Sequence, residues 1–222
     1  MRCHPLFYAL AETTLLYTFG LSIVHLNNIA HLLGGTDVYL IDQIIKGRYH
    51  PSDVLLDAGA GGGRNLQWFV QQSFRIFGTD QDPAAIEILK QNYPGENSEY
   101  FRLASVESLP FADAFFNHII CSAVLHFAEN EIHFEQMLGE LVRVLQPGGS
   151  IFIRMATDVG LANLPDPLGH GRYHLPDGTD RFLLTRQLLE KMLAEHRLHL
   201  LEPFKTVLVD DLRSMAVLVL GK

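Results

Sequence analysis

Apolar positions along the chain fall into two kinds of run. From about residue 53 onward, short continuous apolar stretches alternate with segments whose apolar residues recur every three or four positions. The short stretches are 53–57 (DVLLD), 74–80 (FRIFGTD), 100–103 (YFRL), 116–122 (FNHIICS) and 150–155 (SIFIRM), and they predict strands. Helical spacing predicts helices over 65–72, over 83–92 with Pro83 in the first turn, and over 132–145 with apolar residues at 134, 137, 138, 141, 142 and 145. Pro147-Gly148-Gly149 stops the last of these. Strands that are apolar on both faces and alternate with helices imply a parallel sheet covered on both sides.

The pattern changes at the C-terminus. Residues 198–209 and 212–220 are strand-like, with Asp210-Asp211 between them reading as a tight turn, so an antiparallel hairpin is expected. Between the fifth strand and this hairpin, residues 157–180 are polar and hold three prolines and four glycines. A loop of that length is usually functional. No repeat, low-complexity tract or linker separates two domains.

Residues 1–24 are apolar, but Arg2 and Glu12 interrupt them and leave 13–24 as the clean stretch. A membrane span needs roughly 20 uncharged apolar residues, and no small-residue cleavage site follows. The reading is a helical N-terminal extension with no stable membrane insertion; a membrane-associated tail is the alternative.

Composition narrows the function classes. Apolar residues make up 48% and charged residues 19%, enough for a sizeable core. Lys+Arg 17 against Asp+Glu 25 gives a net charge of −8, which works against nucleic-acid partners. Two cysteines, Cys3 and Cys121, form neither a disulfide framework nor a zinc site, so a cytoplasmic protein without metal is expected.

The strongest local signal is 54–64, VLLDAGAGGGR, a buried strand ending in a glycine turn that opens a helix. Backbone can approach a nucleotide closely in such a turn. The dinucleotide fingerprint GxGxxG needs glycine where Arg64 stands, which weakens a nicotinamide oxidoreductase reading. Asp80, ending the second strand, can accept hydrogen bonds from the two hydroxyls of an adenosine ribose; the plainer alternative is that it caps the helix near Pro83.

Two further motifs follow: 104–116, with Leu109-Pro110-Phe111 inside it, and Leu145-Gln146-Pro147-Gly148-Gly149 before the fifth strand. Together with Asp57–Gly63 and Gly78-Thr79-Asp80 they resemble, in order and spacing, the class I S-adenosylmethionine-dependent methyltransferases. The resemblance covers residues 50–156. It implies an α/β, Rossmann-like, doubly wound and mainly parallel seven-stranded sheet with an antiparallel C-terminal hairpin. It also implies transfer of a methyl group from S-adenosylmethionine to a small-molecule acceptor. The expected organisation is an extension (1–24) and a single methyltransferase domain (25–222), divided into a helical lid (25–50), a cofactor-binding core (51–156), a polar insertion (157–184) and a C-terminal helix and hairpin (185–222).

By that resemblance Gly59, Ala60 and Gly61 pass under the methionine and ribose portions, Asp57 fixes the turn, Asp80 holds the ribose, and Gln81, Ser105 and Val106 lie against the adenine. Ser122, ending the fourth strand, completes the cofactor set. Relatives often carry Asp at the positions of Ser105 and Asn117, which keeps a non-catalytic cofactor- or partner-binding module as the alternative. Ligands of open α/β sheets bind beyond the carboxyl ends of the strands, which puts His126 near the transferring methyl as base or acceptor-orienting group. Tyr39, where relatives carry a lid, and the insertion with His170, Arg172, Tyr173, His174, Asp180 and Arg181 are the expected substrate wall, Tyr173 and His174 first among them. Packing for Tyr39 and a solvated loop for the insertion are the alternatives.

Overall fold

Strand β1 (Val54–Ala58) buries four of its five residues and pairs in parallel on both sides, with β2 (Arg75–Asp80) and β4 (Phe116–Ser122). Leu56 sits opposite Phe77 on one side and Ile119 on the other. A strand so enclosed has no polar face, which is why the run DVLLD does not alternate. The computed structural model describes residues 29–222. The expected extension over 1–24 lies outside the described residues.

The sheet continues outward through β3 (Phe101–Leu103) beyond β2, and through β5 (Leu145–Thr157), β11 (Arg213–Gly221) and β10 (Lys205–Val209) beyond β4. Its order is β3-β2-β1-β4-β5-β11-β10, and β11 runs antiparallel to β5. An eighth strand, β9 (His199–Leu200), pairs with β11 off this path, so the expected hairpin loses residues 201–204 from its first arm. Asp210 and Asp211 adopt φ of 47° and 53°, the left-handed pair of a tight hairpin turn.

Alternate residues of each strand feed opposite faces. Leu56, Ile119, Ile151 and Ile153 meet helix α4 (Glu131–Val144) through Phe134, Leu138 and Leu141, and helix α5 (Arg186–Glu195) through Met192. Leu55, Ile120 and Phe152 join a cluster with Leu40 of α1 (Val38–Ile45), Phe69 of α2 (Gln67–Gln71) and Leu89 of α3 (Pro83–Asn92). Trp68, the chain's one tryptophan, packs edge-on to Phe69 and tilted against Phe74. Side-chain caps start the helices: Asp37 for α1, Asp82 for α3, Asn130 for α4 and Thr185 for α5.

The insertion departs from expectation. Instead of a loop, it holds a three-stranded antiparallel sheet of β6 (Asp166–Gly169), β7 (Arg172–His174) and β8 (Asp180–Phe182). Left-handed residues make the first reversal: His170 and Gly171 turn β6 into β7 with φ of 56° and 82°. The strand β5 also starts earlier than 150, directly at the end of α4, with a register shift between Phe116 and His118 absorbing the Pro-Gly-Gly segment.

Candidate active site

At the end of β1 the chain turns through Gly59 (φ 76°) and Gly61 (φ 54°). The N–H groups of Gly59 and Ala60 both donate to the Thr79 carbonyl at 2.8 Å, which ties the turn to β2. A Cβ on Gly59 would lie 2.4 Å from Val124 Cγ2, whereas one on Gly61 would meet nothing within 4 Å. Gly59 is therefore required by packing, while Gly61 leaves its backbone bare on the open side.

Asp80 locks this turn to the next helix. Its Oδ2 accepts from Gly61 N–H at 2.9 Å and its Oδ1 from Asp82 N–H at 3.0 Å. The cap of α3 is Asp82, which accepts from Ala84 N–H at 2.9 Å, so the capping alternative for Asp80 does not hold. Beneath the turn Asp57 is 1% exposed and its Oδ2 has no partner. Burial pushes its carboxyl up to about 7, the Arg64 charge opposing the rise and the Asp80 charge adding to it.

Beyond the carboxyl ends of β1, β2 and β4 lies a cavity of about 300 Å³. Gly59, Asp80, Gln81, Ser105 and Val106 line it, with Ala104, Ala123, Val124, Phe127 and Met137. Three of its lining groups are carboxylates, Asp80, Glu107 and Glu129. His133 also lines it, its Nδ1 accepting from Glu129 N–H at 3.2 Å and its Nε2 lying 3.6 Å from Glu107.

A second cavity, about 370 Å³, adjoins the first: Ala123 and Phe127 line both. Ala123 holds a left-handed φ of 64°, a strained state for a residue with a Cβ. Ser122 and His126 line the second cavity together with Asp37, Arg64, Arg154, Asp177, Arg181 and Arg213. His126 is 5% exposed and its Nδ1 accepts from Ala156 N–H at 3.3 Å. Burial, with the Arg181 charge as the smaller cause, depresses its pKa to about 4. The imidazole is thus neutral at pH 7 and, with Nδ1 engaged as acceptor, carries its proton on Nε2.

Of the residues singled out from the sequence, Gly59, Asp80, Gln81, Ser105 and Val106 come together around the first cavity. Ala60 and Gly61 belong to the turn that supports it, and Asp57 lies beneath. Ser122 faces the second cavity instead, where its Oγ is 3.5 Å from Arg64. Tyr39 packs under the Arg154 guanidinium, 5.0 Å from ring centroid to Cζ. Tyr173 packs against the cluster of Ala156, Leu175 and Leu183, and exposed His174 bonds Asp180 at 2.6 Å; neither lines either cavity. Asn117 stands at the other end of β4, accepting from Val54 N–H at 2.8 Å and donating to Gln146 at 3.1 Å. It staples strands together and bears on no site. Glu107, Glu129 and His133 went unread, although they follow the third and fourth strands where ligands of such sheets bind. Arg154 also went unread, yet an arginine inside the apolar run SIFIRM was a visible signal.

Residues 56–153 match the family described as "Methyltransferase domain". The chain is 28% identical over 120 residues to the malonyl-(acyl-carrier protein) O-methyltransferase of Serratia marcescens, covering 54% of this chain and 45% of that protein. The chain spans less than half the length of the curated relatives it matches first, 45%, 27% and 42% of them. A SAM-dependent methyltransferase of Methanosarcina mazei has the same fold with a TM-score of 0.65 at 18% identity, over 80% of this chain and 96% of that one. So does the 1,6-didemethyltoxoflavin-N1-methyltransferase of Burkholderia thailandensis, solved with 1,6-didemethyltoxoflavin and S-adenosylhomocysteine bound. Its TM-score is 0.62 at 20% identity, over 100% of this chain and 92% of that one.

Proposed function

Because residues 56–153 belong to the class I S-adenosylmethionine-dependent methyltransferases, we propose that this chain transfers the methyl group of S-adenosylmethionine to a small-molecule acceptor by in-line displacement. The observation that carries the reading is the pair of adjoining cavities at the carboxyl ends of the strands, meeting at Ala123. The residues of the first cavity fit the cofactor. Gly61 offers bare backbone, Asp80 keeps a lone pair on each oxygen beyond its two N–H partners, and Asp57 holds an unpartnered buried oxygen under the turn. A wall bearing three carboxylates suits a ligand with a sulfonium and an ammonium group.

When bound, the cofactor supplies a methyl group already activated by the sulfonium charge. The chain's task is then to position and to exclude water, a contribution worth about 7–11 kcal/mol in well-oriented systems. Asp80 accepts from the ribose hydroxyls, and Gln81, Ser105 and Val106 flank the adenine. His126 orients the acceptor by donating from Nε2; with Nδ1 occupied and Nε2 protonated it does not serve as base. A cytoplasmic setting is part of this proposal. It is supported by Cys121, a free thiol buried within the sheet. The −8 charge supports a small acceptor over a nucleic acid.

Isothermal titration with S-adenosylmethionine and S-adenosylhomocysteine tests the reading. Both should bind, and Asp80→Ala should weaken each by about 1.5–3 kcal/mol, the loss of charge-assisted bonds. No detectable binding of either by the unaltered protein sinks it.

A further inference from the structure

The methyl-transfer reading gives the second cavity its place but leaves its chemistry unassigned. Four arginines converge on it from four separate segments: Arg64 after the glycine turn, Arg154 on β5, Arg181 on β8 and Arg213 on β11. Against them stand Asp37 and Asp177, so the wall carries a net charge of +2 in a chain of net charge −8. Like charges gathered at one cavity repel one another, and the chain's surplus carboxylates lie elsewhere.

Two of the four arginines are neutralised directly. Arg154 holds Asp37 at 2.8 Å, and Arg213 holds Asp177 at 3.0 Å. The other two keep donors to spare. Arg181 lies 4.8 Å over the Phe127 ring, donates to its neighbour's carbonyl at Asp180, and has no carboxylate within 4.0 Å among the described residues. Arg64 reaches Asp37 only at 4.0 Å and otherwise touches the Gly35 carbonyl at 3.3 Å and Ser122 Oγ at 3.5 Å. Arg154 Nε is buried without any partner. A buried N–H of a cation left unbonded is costly, and an arriving anion relieves it.

The placement of Asp37 makes this a built wall. Its side chain is 4% exposed, and its backbone N–H is held by Asn65 Oδ1 at 3.0 Å, so it fixes Arg154 from a buried anchor. Arg181 is likewise set by its stacking on Phe127, a residue shared with the cofactor cavity. The planar guanidinium fork matches a carboxylate, and the two anions already seated on this wall are carboxylates.

We propose that the second cavity is the acceptor subsite and that the acceptor is a small organic carboxylate, its charge held by Arg181 and Arg64 with its methyl-accepting atom toward Ala123. The proposal rests on the methyl-transfer reading and names the substrate class of that site.

The test uses the full chain saturated with S-adenosylhomocysteine and titrated with succinate, benzoate, their uncharged amides and inorganic phosphate. The carboxylates should bind at least about tenfold more tightly than the matching amides. Arg181→Met keeps the contact with Phe127 and removes the charge; it should weaken carboxylate binding about tenfold and leave S-adenosylhomocysteine binding unchanged. Arg64→Met, from another segment, should weaken the carboxylates in the same direction. Equal binding of acid and amide, or carboxylate binding indifferent to both substitutions, overturns the proposal. Phosphate binding more tightly than either carboxylate overturns it in favour of a phosphorylated acceptor. Absent binding of S-adenosylhomocysteine overturns the methyl-transfer reading instead, and the carboxylate titration repeated without it still reads the arginine wall.

Discussion

The two cavities at the carboxyl end of the sheet share Ala123 and Phe127 and otherwise have opposite characters. One is bounded by the glycine turn and by Asp80, Glu107 and Glu129; the other by four arginines. Carboxylates on one side and guanidiniums on the other set up opposing potentials across the few residues that follow β4. A cationic ligand and an anionic one are thereby drawn to different sides of Ala123, with the boundary between them at a strained backbone. The net charge of the chain, −8, conceals this separation because it sums over both.

The largest effect is expected where the first cavity is built from backbone. Gly59→Val forces a side chain into left-handed φ and against Val124, at a combined cost of about 2–5 kcal/mol. Thermal unfolding should fall accordingly and S-adenosylhomocysteine binding should be lost. Retained affinity would dissociate the cofactor cavity from the glycine turn.

The buried titrating groups sharpen the comparison because their signs oppose. Asp57, beneath the first cavity, has a folded pKa near 7, above its ordinary 3.8. The folded state holds that proton longer, so this contribution to stability is full below pH 4 and is lost as pH rises toward 7. His126, in the second cavity, has a folded pKa near 4, below its ordinary 6.5. Its contribution is full above pH 6.5 and is lost as pH falls toward 4. The Asp57 shift corresponds to about 4 kcal/mol across its window and the His126 shift to about 3. In urea unfolding over a pH series, Asp57→Asn should gain on the unaltered protein as pH rises from 4 to 7. His126→Gln should gain on it as pH falls from 6.5 to 4. Parallel curves for protein and variant would deny the shift concerned.

The smallest effect tests the limits of the second wall. His174 pairs with Asp180 at the surface, both about half exposed, so His174→Ala should change stability by less than about 0.5 kcal/mol. It should also leave S-adenosylhomocysteine and carboxylate binding untouched. A weakened carboxylate titration would extend the acceptor wall to β7.

How much of this was legible depended on what each segment buries. The central strands were readable because burial on both faces leaves a continuous apolar run, as in Leu55-Leu56 and Ile119-Ile120. The small sheet of β6, β7 and β8 was not, since its strands have three or four residues and β6 is exposed throughout. With Phe182 the one fully buried side chain in these three strands there is no alternation to read, and Pro167, Gly169 and Gly171 imitate a loop. The glycine turn and Asp80 were readable because backbone geometry and one carboxylate define them locally. The arginine wall was not: Arg64, Arg154, Arg181 and Arg213 lie far apart in the chain and meet only through the sheet order. In the sequence Arg181 stands out only as part of a polar insertion, and Arg64 only as a break in a glycine fingerprint.

Trp68, packed against Phe69 and Phe74 in the helix that leaves the glycine turn, is the chain's one indole. Its fluorescence therefore reports from a single, known place. A change in emission on adding ligand reads the helix that the glycine turn feeds, without labelling.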